Sequence, residues 1–278
     1  MILAVSNIAW APEERLAAYD LMQAAGLTGL EIAPALFFAE ADDPFEPDDA
    51  TASAALAEID SRGLSLVSMQ SLLFGVHGAS MFGDKAARTA FEQGMHRAID
   101  LAGKFKIPNL VFGSPVQRRI PDEMPHAEAF TQATAIFRRL GDRAALAGTM
   151  ISMEPNPTAY GTNFLNTLDE VERFVARVAH PAVGLIIDLG AMHMNGTFDT
   201  VVGRVSALLP LLNHVHVSEP KLAPAPDDAT ALAPVLAALK AVCYSRAVSI
   251  EMKRHEGGLT TLRSRIAALV SAFGGETR

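Results

Sequence analysis

Four ionisable residues each close a short apolar run: Glu154 follows Thr149-Met150-Ile151-Ser152-Met153, Asp188 follows Val183-Gly184-Leu185-Ile186-Ile187, His216 follows Leu211-Leu212-Asn213-His214-Val215, and Glu251 follows Ala247-Val248-Ser249-Ile250. Their successive separations are 34, 28 and 35 residues, about the length of one strand-plus-helix unit. Each therefore falls at the same point of a repeating βα architecture, and in a closed parallel barrel such points converge on one mouth. Three carboxylates and an imidazole at the floor of a cleft repel one another unless a divalent cation neutralises them. The pattern points to a βα-repeating enzyme with a bound metal.

The remainder of the chain repeats at the same interval. Short apolar runs predict eight strands, at Ile2–Ser6, Gly29–Ile32, Ser65–Ser68, Asn109–Phe112, Met150–Glu154, Gly184–Asp188, His214–Val217 and Ala247–Met252. Between them, helical spacing of apolar residues predicts helices over Pro12–Ala25, Asp49–Arg62, Lys85–Lys104, His126–Ala147, Thr167–Val178, Phe198–Leu208 and Ala229–Ala241, with a closing helix over Leu259–Phe273. Pro12 and two acids open the first helix, and Gly26, Gly63 and Gly148 stand where helices must stop. Eight units, with no glycine-rich dinucleotide fingerprint after any strand, favour a single-domain (β/α)8 barrel over residues 1–278 rather than a doubly wound open sheet. The acid- and proline-rich segment from Phe37 to Pro47 reads as an excursion after the second strand.

Half of the residues are hydrophobic and the mean hydropathy is +0.21, enough for a large core. A net charge of -8 offers no general attraction to a phosphate backbone, so no nucleic-acid partner is expected. One cysteine, Cys243, excludes an intramolecular disulfide and a cysteine-rich zinc site. The first residues read as a strand, not a signal peptide, and no apolar segment reaches about 18 uninterrupted residues. A cytoplasmic location without a membrane partner is the expectation.

The local context sharpens the four positions. In Glu154-Pro155-Asn156-Pro157 two prolines hold the chain extended past the strand, which excludes an ordinary helix start. His214 and His216 alternate and share a side of their strand; His216, nearer the mouth, is the better ligand, and His214 is a supporting donor or a hydrogen-bonded core residue. With these features the chain resembles the xylose-isomerase-like barrel superfamily, which includes sugar isomerases, ketose 3-epimerases of the tagatose/psicose type, hydroxypyruvate isomerase and endonuclease IV. The resemblance runs from Ser6-Asn7-Ile8-Ala9-Trp10 to Ile250-Glu251-Met252-Lys253. It implies one divalent cation, Mn, Mg, Co or Zn, held by Glu154, Asp188, His216 and Glu251, a carbohydrate substrate, and a homo-oligomer as in many relatives. The three-zinc endonuclease needs further histidines where this chain has Met69-Gln70-Ser71, Phe112-Gly113-Ser114 and Leu222-Ala223-Pro224. The similar epimerases place a histidine three residues after the Asp of strand six; here His193 comes five after Asp188. Where they carry an arginine past strand seven, this chain has Lys221 after Glu219.

The expected chemistry is isomerisation or epimerisation of a sugar or sugar derivative through a metal-stabilised enediolate, with Glu154 and Glu251 exchanging protons as base and acid. The same ligands also suit a lyase or dehydratase acting on a keto-acid, of the dehydroshikimate-dehydratase type. Trp10, Phe38, Phe74 and Phe112 are candidates for an apolar substrate wall, and Asn7, Gln70, Asn156 and Asn163 for hydroxyl recognition. Glu31 is placed to orient a neighbour or a hydroxyl. His193 and Glu219 complete the expected substrate contacts. Arg118 and Arg119, with Lys221 and the Lys253-Arg254 pair, would suit an anionic substituent.

Overall fold

Eight parallel strands close into a barrel in chain order, a (β/α)8 arrangement as the periodicity predicts. They are β1 (Ile2–Ser6), β2 (Gly29–Ile32), β3 (Ser65–Met69), β4 (Asn109–Phe112), β5 (Met150–Met153), β6 (Val183–Asp188), β7 (Leu212–Ser218) and β8 (Ala247–Glu251). This is a computed structural model that describes residues 1–274; positions 275–278 of the expected domain lie outside the described residues. The helices are α1 (Arg15–Ala24), α2 (Pro34–Phe37), α3 (Asp49–Asp60), α4 (Lys85–Phe105), α5 (His126–Ala147), α6 (Leu168–Val178), α7 (Leu189–Met194), α8 (Val201–Leu208), α9 (Ala229–Ala241) and α10 (Gly258–Ala272). Among the described residues, no helix is long and apolar enough to cross a membrane.

Two helices were not expected from the sequence. The single turns α2 and α7 follow β2 and β6, and both are too short to show a helical period. The excursion after β2 is anchored rather than solvated throughout, because Phe38 and Phe45 are buried. Pro12–Glu14 forms a 3-10 turn ahead of α1, in which Glu14 Oε2 accepts the Ala11 amide at 3.0 Å. Gly26, Gly63 and Gly148 all take positive φ at helix ends, as expected.

Contacts divide the described residues into two compact units. The first comprises residues 1–67, 188–210 and 214–274. In it β1 pairs with β2 and β8, and β7 with β8, in a register that sets Ser6 beside Glu31, His216 beside Ser249, and Ser218 beside Glu251. Ala4, Val67 and Ala247 form a small-residue core with Ile2 against it. Gly29 is required there, because a Cβ would lie 2.8 Å from Ala4 Cβ and 2.9 Å from Ile2 Cγ2.

The second unit comprises residues 68–187 and 211–213. β4 pairs with β5 and β5 with β6. Phe91 of α4, Phe137 of α5 and Phe174 of α6 build an aromatic layer in edge contacts, with Phe112 of β4 packed into it. Buried polar side chains satisfy one another: Asn109 Nδ2 donates to Ser68 Oγ at 2.9 Å, Ser152 Oγ donates to Asn109 Oδ1 at 2.6 Å, and Asn213 Nδ2 donates to Ser152 Oγ at 3.0 Å. That network carries β7 two residues further towards its start than apolar patterning alone predicts.

The start of α6 is set by a reciprocal cap. Thr167 Oγ1 accepts the Glu170 amide at 3.2 Å, and Glu170 Oε2 accepts the Thr167 amide at 3.4 Å. Thr167→Ala is expected to cost about 1 kcal/mol of stability. Urea denaturation would show this as a lower midpoint with an unchanged slope; an unmoved midpoint would refute the cap's contribution.

Candidate metal centre

His216 is fully buried, and its two nitrogens face different carboxylates. Nε2 lies 3.1 Å from Glu31 Oε2, while Nδ1 lies 3.2 Å from Glu251 Oε2 and 3.9 Å from Asp188 Oδ2. With the Nε2 proton donated to Glu31, the Nδ1 lone pair is directed at Glu251 and Asp188. His214 Nε2 stands 3.1 Å from the same Glu31 oxygen. Burial by itself raises the Glu31 carboxyl, but His216 and His214 outweigh it and hold the group well below the usual carboxylate range. A charged Glu31 is thus a strong acceptor for the imidazole proton.

Asp188 does two things at once. Its Oδ1 caps α7 by accepting the Ala191 amide at 2.7 Å and also accepts the Ser218 hydroxyl at 2.7 Å. Ser218 Oγ in turn accepts the Gly190 amide at 2.9 Å. One carboxylate oxygen is occupied by these donors, and Oδ2 is the one turned towards His216.

Glu154 stands just past β5, its amide donating to Phe112 O at 3.1 Å. Asn156 Nδ2 donates to Glu154 Oε2 at 2.9 Å. Space for this carboxylate depends on Gly113, where a Cβ would lie 2.2 Å from Glu154 Oε2.

Of the four expected ligands, Asp188, His216 and Glu251 lie in the first unit, and each presents a ligand atom within 4.8 Å of the others. The relative exposures of Glu154, Asp188, His216 and Glu251 are 8, 7, 0 and 6%, so the three carboxylates have little water to screen them. The donor chemistry, three hard oxygens and one imidazole nitrogen, fits a divalent cation of the Mg, Mn, Co or Zn group. Glu31, His214 and His216 form a second close group. It shares His216 with the first, and its 3.1 Å separations are hydrogen-bond lengths. Contacts of this kind suit the orientation of an imidazole.

The other expected substrate residues have diverse placements. His193 is exposed and stacks on Phe198 at 3.9 Å; with Ser218 and Glu219 it lines a pocket of about 230 Å³. Glu219 Oε1 accepts the Asp227 amide at 3.0 Å. Lys221 is exposed on a left-handed backbone turn, φ 61°. Gln70 is buried at the end of β3. Trp10 is buried edge-on against Tyr19 of α1, and Phe74 is exposed.

Four expectations are corrected. Phe112 does not face a substrate: its ring lies 5.8 Å from Phe91 and 5.0 Å from Phe137, because the two-residue period of β4 turns it with Leu110 to the helical layer. Arg118 is fully buried and donates to the main-chain carbonyls of Glu154 and Leu165 at 2.9 and 3.1 Å, so it is not an exposed anion contact. Arg254 is engaged by Glu14 at 2.7 and 3.0 Å. Asn7 and Asn163 commit their amides to the backbone of Ala33 and Ile120. Ser218 and Gly113 were not anticipated as site residues, although Ser218 lies two positions after His216 and so shares its strand face.

Residues 19–271 match the family model described as xylose isomerase-like TIM barrel. The chain belongs to that family. Among solved structures it is similar to a D-psicose 3-epimerase determined in the presence of D-fructose, at 17% identity and TM-score 0.77, covering 99% of this chain and 100% of the other. It is also similar to 3-keto-D-glucoside 4-epimerase from E. coli, at 19% identity and TM-score 0.74, covering 98% and 99%. A third is D-allulose 3-epimerase from Methylomonas sp. in complex with D-allulose, at 20% identity and TM-score 0.72, covering 98% and 95%. These likenesses establish the shared fold. A search of curated proteins finds no match.

Two substitutions test the support of the centre. Gly113→Ala must displace the Glu154 carboxylate, and Ser218→Ala removes one donor from Asp188; each is expected to weaken Mn²⁺ binding by about 10- to 100-fold. Calorimetric titration measures this directly. Wild-type affinity in Gly113→Ala would mean that Glu154 is not held as a ligand, and in Ser218→Ala that the Asp188 contact is dispensable.

Proposed function

We propose that this chain is a divalent-metal-dependent sugar isomerase or epimerase that works by proton transfer, with residues 1–278 acting as one barrel domain. The observation that supports it is the convergence of Asp188, His216 and Glu251 within 4.8 Å, in a family barrel whose solved relatives are named as sugar epimerases. The four residues would hold the cation, which supplies polarisation of a substrate carbonyl and so acidifies the neighbouring C–H. Glu154 and Glu251, carried by the non-adjacent strands β5 and β8, are the proton-transfer groups. In an epimerisation one, as carboxylate, removes the proton from the carbon beside the carbonyl and keeps it, and the other, starting protonated, gives its own proton to the opposite face of that carbon. For an isomerisation, a single carboxyl carries the proton to the adjacent carbon.

Around that step the remaining residues bind and orient. Glu31 keeps the His216 ring in one orientation, and Ser218 does the same for Asp188. Asn156 offers Oδ1, which is buried and has no hydrogen-bond partner among the described residues, as an acceptor for a substrate hydroxyl. Gln70, His193, Glu219, Lys221 and Trp10 remain proposed contacts to the rest of the sugar.

The test combines metal analysis with isotope exchange. Purified wild-type protein is expected to take up one equivalent of Mn²⁺, Mg²⁺, Co²⁺ or Zn²⁺, and Glu154→Gln and His216→Ala to lose it. Ketoses and their derivatives incubated in deuterated water should return with deuterium at the carbon next to the carbonyl, at a rate lowered about 10²- to 10⁴-fold by Glu251→Gln. Turnover without deuterium uptake would overturn the proton-transfer mechanism. Loss of water from a keto-acid in the same assay would establish the lyase instead.

A further inference from the structure

Arg118 is an oddity in the energetics of the second unit. It lies in the loop after β4, wholly buried, and its hydrogen bonds go to two main-chain carbonyls and to no carboxylate side chain. Among the described residues its Nε has no hydrogen-bond partner. Burial draws the guanidinium down to about 10, and the nearby charges of Glu154 and Glu170 act in the opposite sense; it is still cationic at neutral pH. Enclosing a charge without a paired carboxylate is costly, and an apolar side chain of similar length would fill the volume without that cost.

What an apolar side chain lacks is the fork. Nη1 reaches the Glu154 carbonyl at 2.9 Å and Nη2 the Leu165 carbonyl at 3.1 Å, at the two ends of the loop that follows β5. The Leu165 carbonyl also accepts the Asn156 amide at 3.1 Å, and the Glu154 amide is held by Phe112 O at 3.1 Å. The peptide groups on both sides of the Glu154 Cα are therefore fixed, one by β4 and the other by Arg118. A few degrees of freedom at that second carbonyl would swing the carboxylate by the margin that a ligand or a proton-transfer group cannot tolerate.

We propose that Arg118 is a positioning residue for Glu154, clamping the main chain beneath it so that its carboxylate stays in place for cation and substrate, and that it makes no contact with substrate. This rests on the role given to Glu154 above. A control is built into the same pair of loops: Asn163 joins them through Ile120, Oδ1 accepting the Ile120 amide at 2.7 Å and Nδ2 donating to its carbonyl at 3.0 Å, without touching Glu154.

The experiment compares full-length wild type with Arg118→Met, Arg118→Lys and Asn163→Ala, by calorimetric Mn²⁺ titration, thermal denaturation without metal, and kcat and KM on a sugar that wild type turns over. Arg118→Met should weaken Mn²⁺ binding by about 10- to 100-fold and lower kcat with KM little changed. Arg118→Lys, able to keep one of the two carbonyls, should fall between it and wild type, and it carries the test if Arg118→Met does not fold. Asn163→Ala should melt earlier yet bind Mn²⁺ as wild type does. Wild-type affinity and kcat in both arginine variants would overturn the clamp, as would an equal loss of affinity in Asn163→Ala, which would reduce the effect to loop stability. A raised KM with kcat retained would make Arg118 a substrate contact and overturn it too. A wild-type chain that binds no Mn²⁺ would instead bring down the metal-centre reading, and the clamp with it.

Discussion

The constraint on which the site depends is the electrostatic cost of burying acids together. Glu31, Glu154, Asp188 and Glu251 are each at most 8% exposed, and none can share its charge with bulk water. The structure answers with directed donors: the His216 imidazole at Glu31, the Ala191 amide and Ser218 hydroxyl at Asp188, and the Asn156 amide at Glu154. Each arrangement commits one part of a group and aims another at the centre. His216 shows this most clearly, with one nitrogen turned to Glu31 and the other to Glu251 and Asp188. A divalent cation would complete the neutralisation, and it would meet side chains whose orientations are already set.

That demand reaches into the fold. Asp188 belongs at once to the end of β6, to the cap of α7 and to the proposed ligand group, so the helix that follows the strand also orients that carboxylate. Gly113 is without a side chain because Glu154 Oε2 occupies the volume a Cβ would take. Ser218 is in register with Glu251 across β7 and β8, so a main-chain ladder relates a supporting hydroxyl to a neighbouring ligand. Strands supply the coarse placement, and short polar contacts the final orientation.

Much of this was legible in the sequence because it is local and periodic. Strand and helix positions follow from apolar spacing, and most boundaries lie within two residues of prediction. The four ligand candidates could be proposed because identical placement in successive βα units puts residues at the same end of a closed barrel. The errors have a common source. Phe112 was assigned to the mouth from its place at a strand end, but which face it occupies depends on where α4 and α5 pack. Arg118 and Arg254 were grouped as cations for an anion, yet one is buried on carbonyls and the other engaged by Glu14, partners 36 or more positions away in the chain. The α2 and α7 turns escaped because a single turn has no period to detect.

By itself, then, the sequence determined the repeating βα architecture and supplied the candidates proposed to hold a cation, since both are written in spacing and residue type. Tertiary structure alone decided the atoms involved: that His216 turns Nδ1 and not Nε2 to Glu251, that Asp188 keeps Oδ2 for the centre, and that Arg118 lies beneath Glu154. The physical reason is that hydrogen bonds and close packing act over about 3 to 4 Å between residues far apart in the chain. Such contacts are fixed only once the barrel has brought their strands and loops together.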